Sequence, residues 1–372
     1  MAIDYIDDDG APIGSTTVEP DWEPVLECAH FAAMRRGLVP PVFGAHRSQI
    51  RPVWHPEHGA PRIGAARIVF EAADGGGDHP AELCHEDLPV ESPFFQELAR
   101  RGSEAMVEKG LLTAGQTYKF GISAYANESA ANESAANETA RAATREDDPS
   151  GLQFEDVEDV DEPLALREKP IERLARTARP AGHDARESDM RVFVPRAVVD
   201  EVVAAARAAG ELEVGAFLLG HVRRSPGSPE IYVEVTAQVP ALHTDATKAS
   251  LTFTPDSWAA ANDAIALRGE DESFVAWAHF HPNWGDNACA KCPEERRRVC
   301  PLSRPFFSST DIHMHRAIFS RAYQTAMLVT DLGHAELDVS FFGWRDGSVV
   351  SRGFEVFEPD SAESGQAKRS SA

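Results

Sequence analysis

The chain has 372 residues, with 36 Lys and Arg against 60 Asp and Glu, for a formal charge of -24. That length favours two domains over one, and the charge excludes an electrostatic footprint for nucleic acid or an anionic membrane surface. No apolar run reaches the length of a membrane span and the acidic opening Met1–Tyr5 lacks the basic region of a secretion signal, so the expected compartment is the cytoplasm.

Residues 1–20 are acidic and rich in Gly, Ser and Thr, which reads as a disordered N-terminus. Residues 21–125 have the composition of a smaller α+β domain, with a helix over Leu26–Leu38, a strand over Arg62–Ala72, an amphipathic helix over Pro93–Lys109 and a strand over Gln116–Tyr125. No motif assigns it an activity, and partner binding is the default reading of an appended module. Residues 126–190 read as a linker. They open with the near-identical pentads ANESA, ANESA and ANETA, whose five-residue period matches neither a helix face nor a strand, and continue through charged sequence broken by prolines.

A second domain is expected over 191–358, ahead of a polar tail at 359–372. A helix over Pro195–Ala209 stops at Gly210, and strands over Glu213–His221 and Ile231–Val239 form a hairpin. A short strand at Leu251–Thr254 precedes a helix opened by Pro255. A buried strand over Ser273–His281 and a helix over Thr310–Ala322 follow. Strands over Gln324–Thr330, Ala335–Trp344 and Gly353–Phe357 close the domain. Strands and helices mix without strict alternation, so the expected fold class is α/β of mixed α+β type, a mixed sheet flanked by helices.

Chemistry concentrates in three places in this domain. His279 and His281 lie two apart on a strand and so share a face, with Phe280 on the other and Pro282 ending the strand. Each alone also fits a packed structural histidine. Ser308 and Asp311 sit three apart at a helix start, where a capping serine and a first-turn aspartate are ordinary. Two imidazoles and a carboxylate nevertheless make a three-ligand set with an open fourth position, the composition of a hydrolytic zinc site. Glu213 opens an apolar strand, where burial without a partner is costly; it is the candidate base, with Glu211 as competitor.

Glu213 followed by small residues and Gly220, then His279-Phe280-His281-Pro282, then Ser308-Ser309-Thr310-Asp311, together resemble the JAMM motif of the JAB/MPN metalloproteases over residues 191–358. The resemblance implies a JAB/MPN-like, cytidine-deaminase-like domain that holds zinc through His279, His281 and Asp311. It gives Glu213 the part of general base and proton shuttle, and places the Ser308 hydroxyl by the tetrahedral intermediate. The implied reaction is hydrolysis of a peptide or isopeptide bond after the C-terminal glycine of a ubiquitin-like protein or conjugate; bacterial relatives act on ubiquitin-like or sulfur-carrier proteins. Two features depart from the family: Ala216 stands where glycine is common, and residues 283–307 form an insertion well beyond the usual spacing.

That insertion carries Cys289, Cys292 and Cys300. Five cysteines, an odd number with three clustered here, fit metal binding in a reducing compartment better than disulfides. A second, structural zinc is the expectation, with reduced thiols or a redox role as alternatives. The fourth ligand is open among His313, His315, His334, Asp286, Cys28 and Cys84. Two rival functions remain in view: an inactive JAB/MPN scaffold binding a protein partner, which the complete residue set argues against, and a zinc hydrolase of a non-protein substrate, for which the deaminase His-x-Glu and Pro-Cys-x-x-Cys signatures are lacking.

Overall fold

A computed structural model describes residues 1–43, 46–54, 62–72, 82–113, 115–123, 162–242, 244–246, 251–282, 305–332 and 335–359. The chain divides into two units: Met1–Asp21 with Val42–Leu164, and Trp22–Pro41 with Ala165–Ala372. The first helix, α1 (Glu23–Arg35), therefore belongs to the second unit.

The first unit holds β1 (Ala2–Ile6), β2 (Pro12–Thr17), β3 (Val42–Phe43), β4 (His46–Trp54), β5 (Ile63–Ala72), β6 (Glu82–Pro89), α2 (Pro93–Glu108), β7 (Lys119–Ser123) and β8 (Glu162–Pro163). Its antiparallel sheet runs β2-β1-β7-β5-β4 with β6 on β5, and β3 pairs with β8. Ile3 and Tyr5 of β1 are fully buried, and the Tyr5 hydroxyl donates to the Ala99 carbonyl of α2 at 2.8 Å. Gly102 lets α2 approach this closely, since a Cβ there would collide with the Tyr5 hydroxyl. The N-terminus is thus ordered, contrary to the expectation from composition. Its acidic run makes the β1–β2 turn, where Asp7 accepts the Ala11 N–H at 2.7 Å. Two alternating apolar residues are too short a signal to stand out beside that run.

The second unit holds β9 (Leu166–Glu168), α3 (Ile171–Ala175), β10 (Arg179–Gly182), β11 (Val192–Pro195), α4 (Arg196–Ala209), β12 (Gly215–Arg224), β13 (Ile231–Pro240), β14 (Asp245–Ala246), β15 (Leu251–Thr252), α5 (Pro255–Arg268), β16 (Ser273–His281), α6 (Ser309–Ile318), β17 (Thr325–Thr330), β18 (Asp338–Arg345) and β19 (Ser348–Phe357). The main sheet runs β10-β19-β11-β13-β12-β16-β17-β18 and is mixed: β16 is antiparallel to β12 and parallel to β17. Because β19 also pairs with β18, the hydrogen-bonded path returns to β19, with β10 outside the closed circuit. Phe217, Trp277, Ala326, Leu328 and Phe342 project from successive strands into one core with Ala261 of α5 and Phe319 just after α6. On the other face, Ala216, Ala278 and Phe280 line a cavity together with Val202 and Ala206 of α4. Mixed α+β architecture is what the sequence pattern anticipates.

Three boundaries differ. The expected helix at 26–38 forms but serves the second unit: Val25, Ala29, Phe31, Ala33 and Met34 are buried, Glu27 accepts the Ala322 N–H at 3.1 Å, and Arg35 donates to the Ser188 carbonyl at 2.9 Å. The expected linker ends early. Residues 165–190 are built in, with β9 on β12, β10 on β19, and Ile171, Leu174 and Ala178 in a core with Phe193, Tyr232 and Phe357. Elements of three to five residues resemble linker composition because the helix buries only Ile171 and Leu174, and the two strands bury no side chain fully. The pentads lie outside the described residues. Within the expected insertion, Phe307 is core, its ring 4.1 Å from that of Phe342. No helix among the described residues is long and apolar enough to cross a membrane.

The β18–β19 turn rests on α1: Gly347 has φ +77, and a Cβ there would collide with Val25. At Gly227, φ is +73 and a Cβ would meet nothing within 4 Å beyond the adjacent residues. Gly227→Ala should therefore cost only the left-handed backbone, about 1–2 kcal/mol. Gly347→Ala should add overpacking of about 1–3 kcal/mol. Urea unfolding of the full chain measures both, and equal losses would show that α1 does not bear on this turn.

Candidate metal centre

The last residues of β16 lie between β12 and β17 in the interior of the sheet. Gly215 pairs with His279, Val214 accepts the Phe280 N–H at 3.0 Å, and His281 pairs with Thr330. Alternation puts Trp277, His279 and His281 on the face toward α6, and Ala278 and Phe280 toward α4. His279 and His281 are 2% and 5% exposed. Extending the Gly215–His279 register by two residues sets Glu213 opposite His281. The turn after α4 brings it there, with Gly210 at φ 65 ending the helix.

Asp311 comes from the first turn of α6. Ser308 is the N-cap: its Oγ accepts the Asp311 N–H at 3.1 Å, while Asp311 Oδ2 accepts the Ser308 N–H at 2.7 Å. This reciprocal capping box fixes the helix start and turns the carboxylate toward the histidines. Asp311 Oδ1 lies 3.4 Å from His279 Nε2, Asp311 Oδ2 lies 3.4 Å from His281 Nε2, and the two Nε2 atoms are 3.0 Å apart. Zinc bonds of 2.0–2.2 Å in tetrahedral geometry separate ligand atoms by about 3.3–3.5 Å. The two carboxylate distances are of that size, though they reach different Asp311 oxygens, and the two nitrogens are closer together. With one donor atom from each residue within 4.8 Å of the others, His279, His281 and Asp311 are a group that could hold a metal ion.

The protonation states suit such a role. Burial lowers the His279 pKa, which favours the neutral imidazole that ligation requires. Burial pushes the Asp311 carboxyl up, but hydrogen bonds to His279 and His281 outweigh it and hold the group well below the usual carboxylate range. Glu213, 6% exposed, is pushed up to about 7 by burial; His281 lowers it and the Asp311 charge raises it. Glu211, the competing candidate, is exposed. The structure therefore brings together Glu213, His279, His281, Ser308 and Asp311.

Cys289, Cys292 and Cys300 lie outside the described residues, as do His334 and Asp286. Among the proposed fourth ligands, His315 is fully buried and accepts the Trp277 indole N–H at Nδ1, 3.0 Å away. His313 is exposed. The Cys28 thiol is pushed up to about 12, mainly by burial, and so stays protonated. Cys84 belongs to the first unit.

Sequence reading passed over the aromatic setting of the triad. The Trp277 indole stacks on the His279 imidazole, with centroids 4.6 Å apart and planes 17° apart, and Phe307 approaches the same imidazole at 5.5 Å. Trp277 was accessible as the residue two before His279 on the same face, and His315 as the residue one helical turn after Asp311.

No protein-family model matches this chain, and no curated protein matches it. Among solved structures it is similar to protein DSY2949 from Desulfitobacterium hafniense, determined in solution, with 15% identity over 46% of this chain and 96% of that one, and a TM-score of 0.30. At that score the likeness carries no weight for the fold or the site.

His315 gives the centre a pH signature of its own. Burial lowers its pKa from 6.5 to about 3 in the folded chain. As pH falls, the unfolded state takes up this proton first, so the stability tied to the neutral imidazole is full above pH 6.5 and drains away toward pH 3. For one group the slope approaches about 1.4 kcal/mol per pH unit. Urea unfolding of metal-free protein across this range should show that excess slope in wild type and lose it in His315→Asn. Parallel profiles for the two proteins would contradict it.

Proposed function

We propose that the second unit is a zinc-dependent peptidase or isopeptidase of JAMM type with a JAB/MPN-like fold. It cleaves the amide bond after the C-terminal glycine of a ubiquitin-like or sulfur-carrier protein. The observation that carries this reading is the triangle of two imidazole nitrogens and a carboxylate oxygen with a buried glutamate beside it. The order of those residues in the chain carries the resemblance from which the substrate class comes.

His279, His281 and Asp311 would hold the zinc. When bound, zinc supplies Lewis acidity that polarises a carbonyl and acidifies water. Glu213 takes a proton from the attacking water as its oxygen bonds to the scissile carbonyl carbon. It then delivers that proton to the leaving nitrogen as the C–N bond breaks, giving an amine and a carboxylic acid, whose remaining proton is lost to solvent. A base with a pKa near the working pH can both accept and return a proton, and burial brings Glu213 into that range. Ser308 Oγ commits an acceptor lone pair to the Asp311 N–H, so its own O–H is left to donate to the developing oxyanion.

Metal analysis of the purified full chain, paired with cleavage of linear and isopeptide-linked ubiquitin-like substrates, tests the reading. Wild type should hold one zinc at the triad and cleave; Asp311→Asn should lose that zinc. Glu213→Gln should keep the zinc and lose about 10²–10⁴-fold in rate, the usual contribution of a positioned acid–base group. A zinc-free wild type, or equal cleavage by wild type and Glu213→Gln, overturns it. In wild type the rate should rise with pH along a one-proton limb. Its midpoint lies at or below pH 7, because a cation at the triad pulls Glu213 down from about 7.

A further inference from the structure

The geometry points to Trp277 and His315 as positioning residues for the metal centre: their hydrogen bond ties the strand that carries His279 and His281 to the helix that carries Asp311. The inference rests on the triad being a metal site and assigns a role outside the ligand and base set.

Three donor atoms from two separate elements make a metal site only if those elements are held at a fixed spacing. A bound ion would itself bridge β16 and α6, but affinity is lost if the ion must first order them. In this structure a second bridge joins the same two elements one step away. Trp277 precedes His279 by two residues on the same face of β16, and His315 follows Asp311 by one turn on the same face of α6. The indole Nε1–H donates to His315 Nδ1 at 3.0 Å, with Trp277 1% exposed and His315 fully buried. This rung joins strand to helix just beside the place where the ion would.

The same indole orients a ligand. Its plane lies 17° from that of the His279 imidazole at 4.6 Å, with Phe307 on the imidazole at 5.5 Å. His279 Nδ1 has no hydrogen-bond partner among the described residues. Metal-bound histidines are ordinarily held by a hydrogen bond from the other ring nitrogen; for His279, ring packing takes that part. The packing is only as well defined as the indole, and what fixes the indole is His315. With Nδ1 accepting, the His315 proton sits on Nε2, which meets no partner among the described residues. The ring is 6.0 Å from Phe319 at 18°, a stacked arrangement. The Trp277 bond is therefore the polar contact that sets its orientation. Losing either end leaves a buried polar atom unsatisfied and frees the ring beside His279.

The test measures zinc affinity by chelator competition and the visible spectrum of the cobalt(II)-loaded full chain. The variants are Trp277→Phe, His315→Leu and His315→Asn, with Phe193→Leu as a control for lost packing in the unit's other core. Trp277→Phe keeps an aromatic face but loses the donor; His315→Leu loses the acceptor. Both should weaken zinc binding by about 10–100-fold, the range seen when outer-shell partners of a metal ligand are removed, and both should shift the cobalt bands. His315→Asn places an oxygen where Nδ1 was and should restore affinity and spectrum toward wild type. Phe193→Leu should lower the melting temperature and leave both readouts unchanged. Unaltered zinc affinity in Trp277→Phe and His315→Leu, with wild type binding zinc, overturns the positioning role and leaves the metal site standing. The positioning role falls equally if His315→Asn loses as much affinity as His315→Leu, or if Phe193→Leu weakens zinc as much as they do. A wild type that binds no zinc removes the metal site and this role with it.

Discussion

Charge balance in a dry pocket is the constraint around which the second unit is organised. Glu213, His279 and His281 are all less than a tenth exposed, and the Asp311 side chain is 13% exposed. Burying two carboxylates against apolar walls is costly unless something compensates. Asp311 is compensated by a backbone N–H and two imidazoles. For Glu213 the pull of His281 does not offset burial, and its pKa rises to about 7. A dication at neutral imidazoles and an ionised carboxylate would supply the missing positive charge and draw Glu213 back toward ionisation. In the proposed reading, metal uptake and readiness of the base are thus linked through one electrostatic field.

Holding that pocket requires both β16 and α6 to be immobile. β16 is paired on both edges, antiparallel to β12 and parallel to β17, and ends with its histidines still inside the ladder, where the His281 carbonyl accepts the Asp331 N–H at 3.0 Å. The chain leaving α6 is braced from a distance in sequence. Glu27 of α1 accepts the Ala322 N–H, and Phe31 packs on Tyr323 at 6.1 Å. Trp344 of β18 donates its indole N–H to the Phe319 carbonyl at 2.8 Å, clamping the end of the same helix to the sheet. A site built on a central strand and a clamped helix start, rather than on loops, keeps its donor atoms within the tolerance that ligation and preorganised catalysis demand.

How much of this was legible depended on signal length. The 273–281 strand stood out as an apolar run stopped by Pro282, and the helices before Gly210 and Gly269 were punctuated by residues suited to positive φ. Strand alternation alone put His279 and His281 on one face and Phe280 on the other. The destination of α1 was not legible, because an amphipathic helix declares a buried face but not the surface that covers it. Neither was the structure of 165–190, whose elements bury too few side chains each to show a period. Spacing puts Glu213 and Glu211 on one face of an expected strand, but β12 begins at Gly215, and burial is what separates the two. Trp277 and His315 each sat on a readable face, yet their contact became visible only when β16 and α6 were seen to face one another.

The capping reading and the ligand reading of Ser308 and Asp311 are alternatives in the sequence; the structure shows the cap, and its geometry is compatible with the proposed ligand role. A capping box needs Asp311 Oδ2 on the Ser308 N–H, and that bond removes the rotational freedom of the carboxylate. Once Oδ2 is committed, Oδ1 stands 3.4 Å from His279 Nε2 without further support. The cap likewise commits Ser308 Oγ as an acceptor of the Asp311 N–H. An unanchored aspartate would lose side-chain entropy on binding an ion and weaken the site accordingly. Here folding the helix start has already taken that loss. In the proposed reading, the same two hydrogen bonds that begin α6 would therefore preorganise a ligand and a hydroxyl donor, linking helix stability to metal affinity and oxyanion contact.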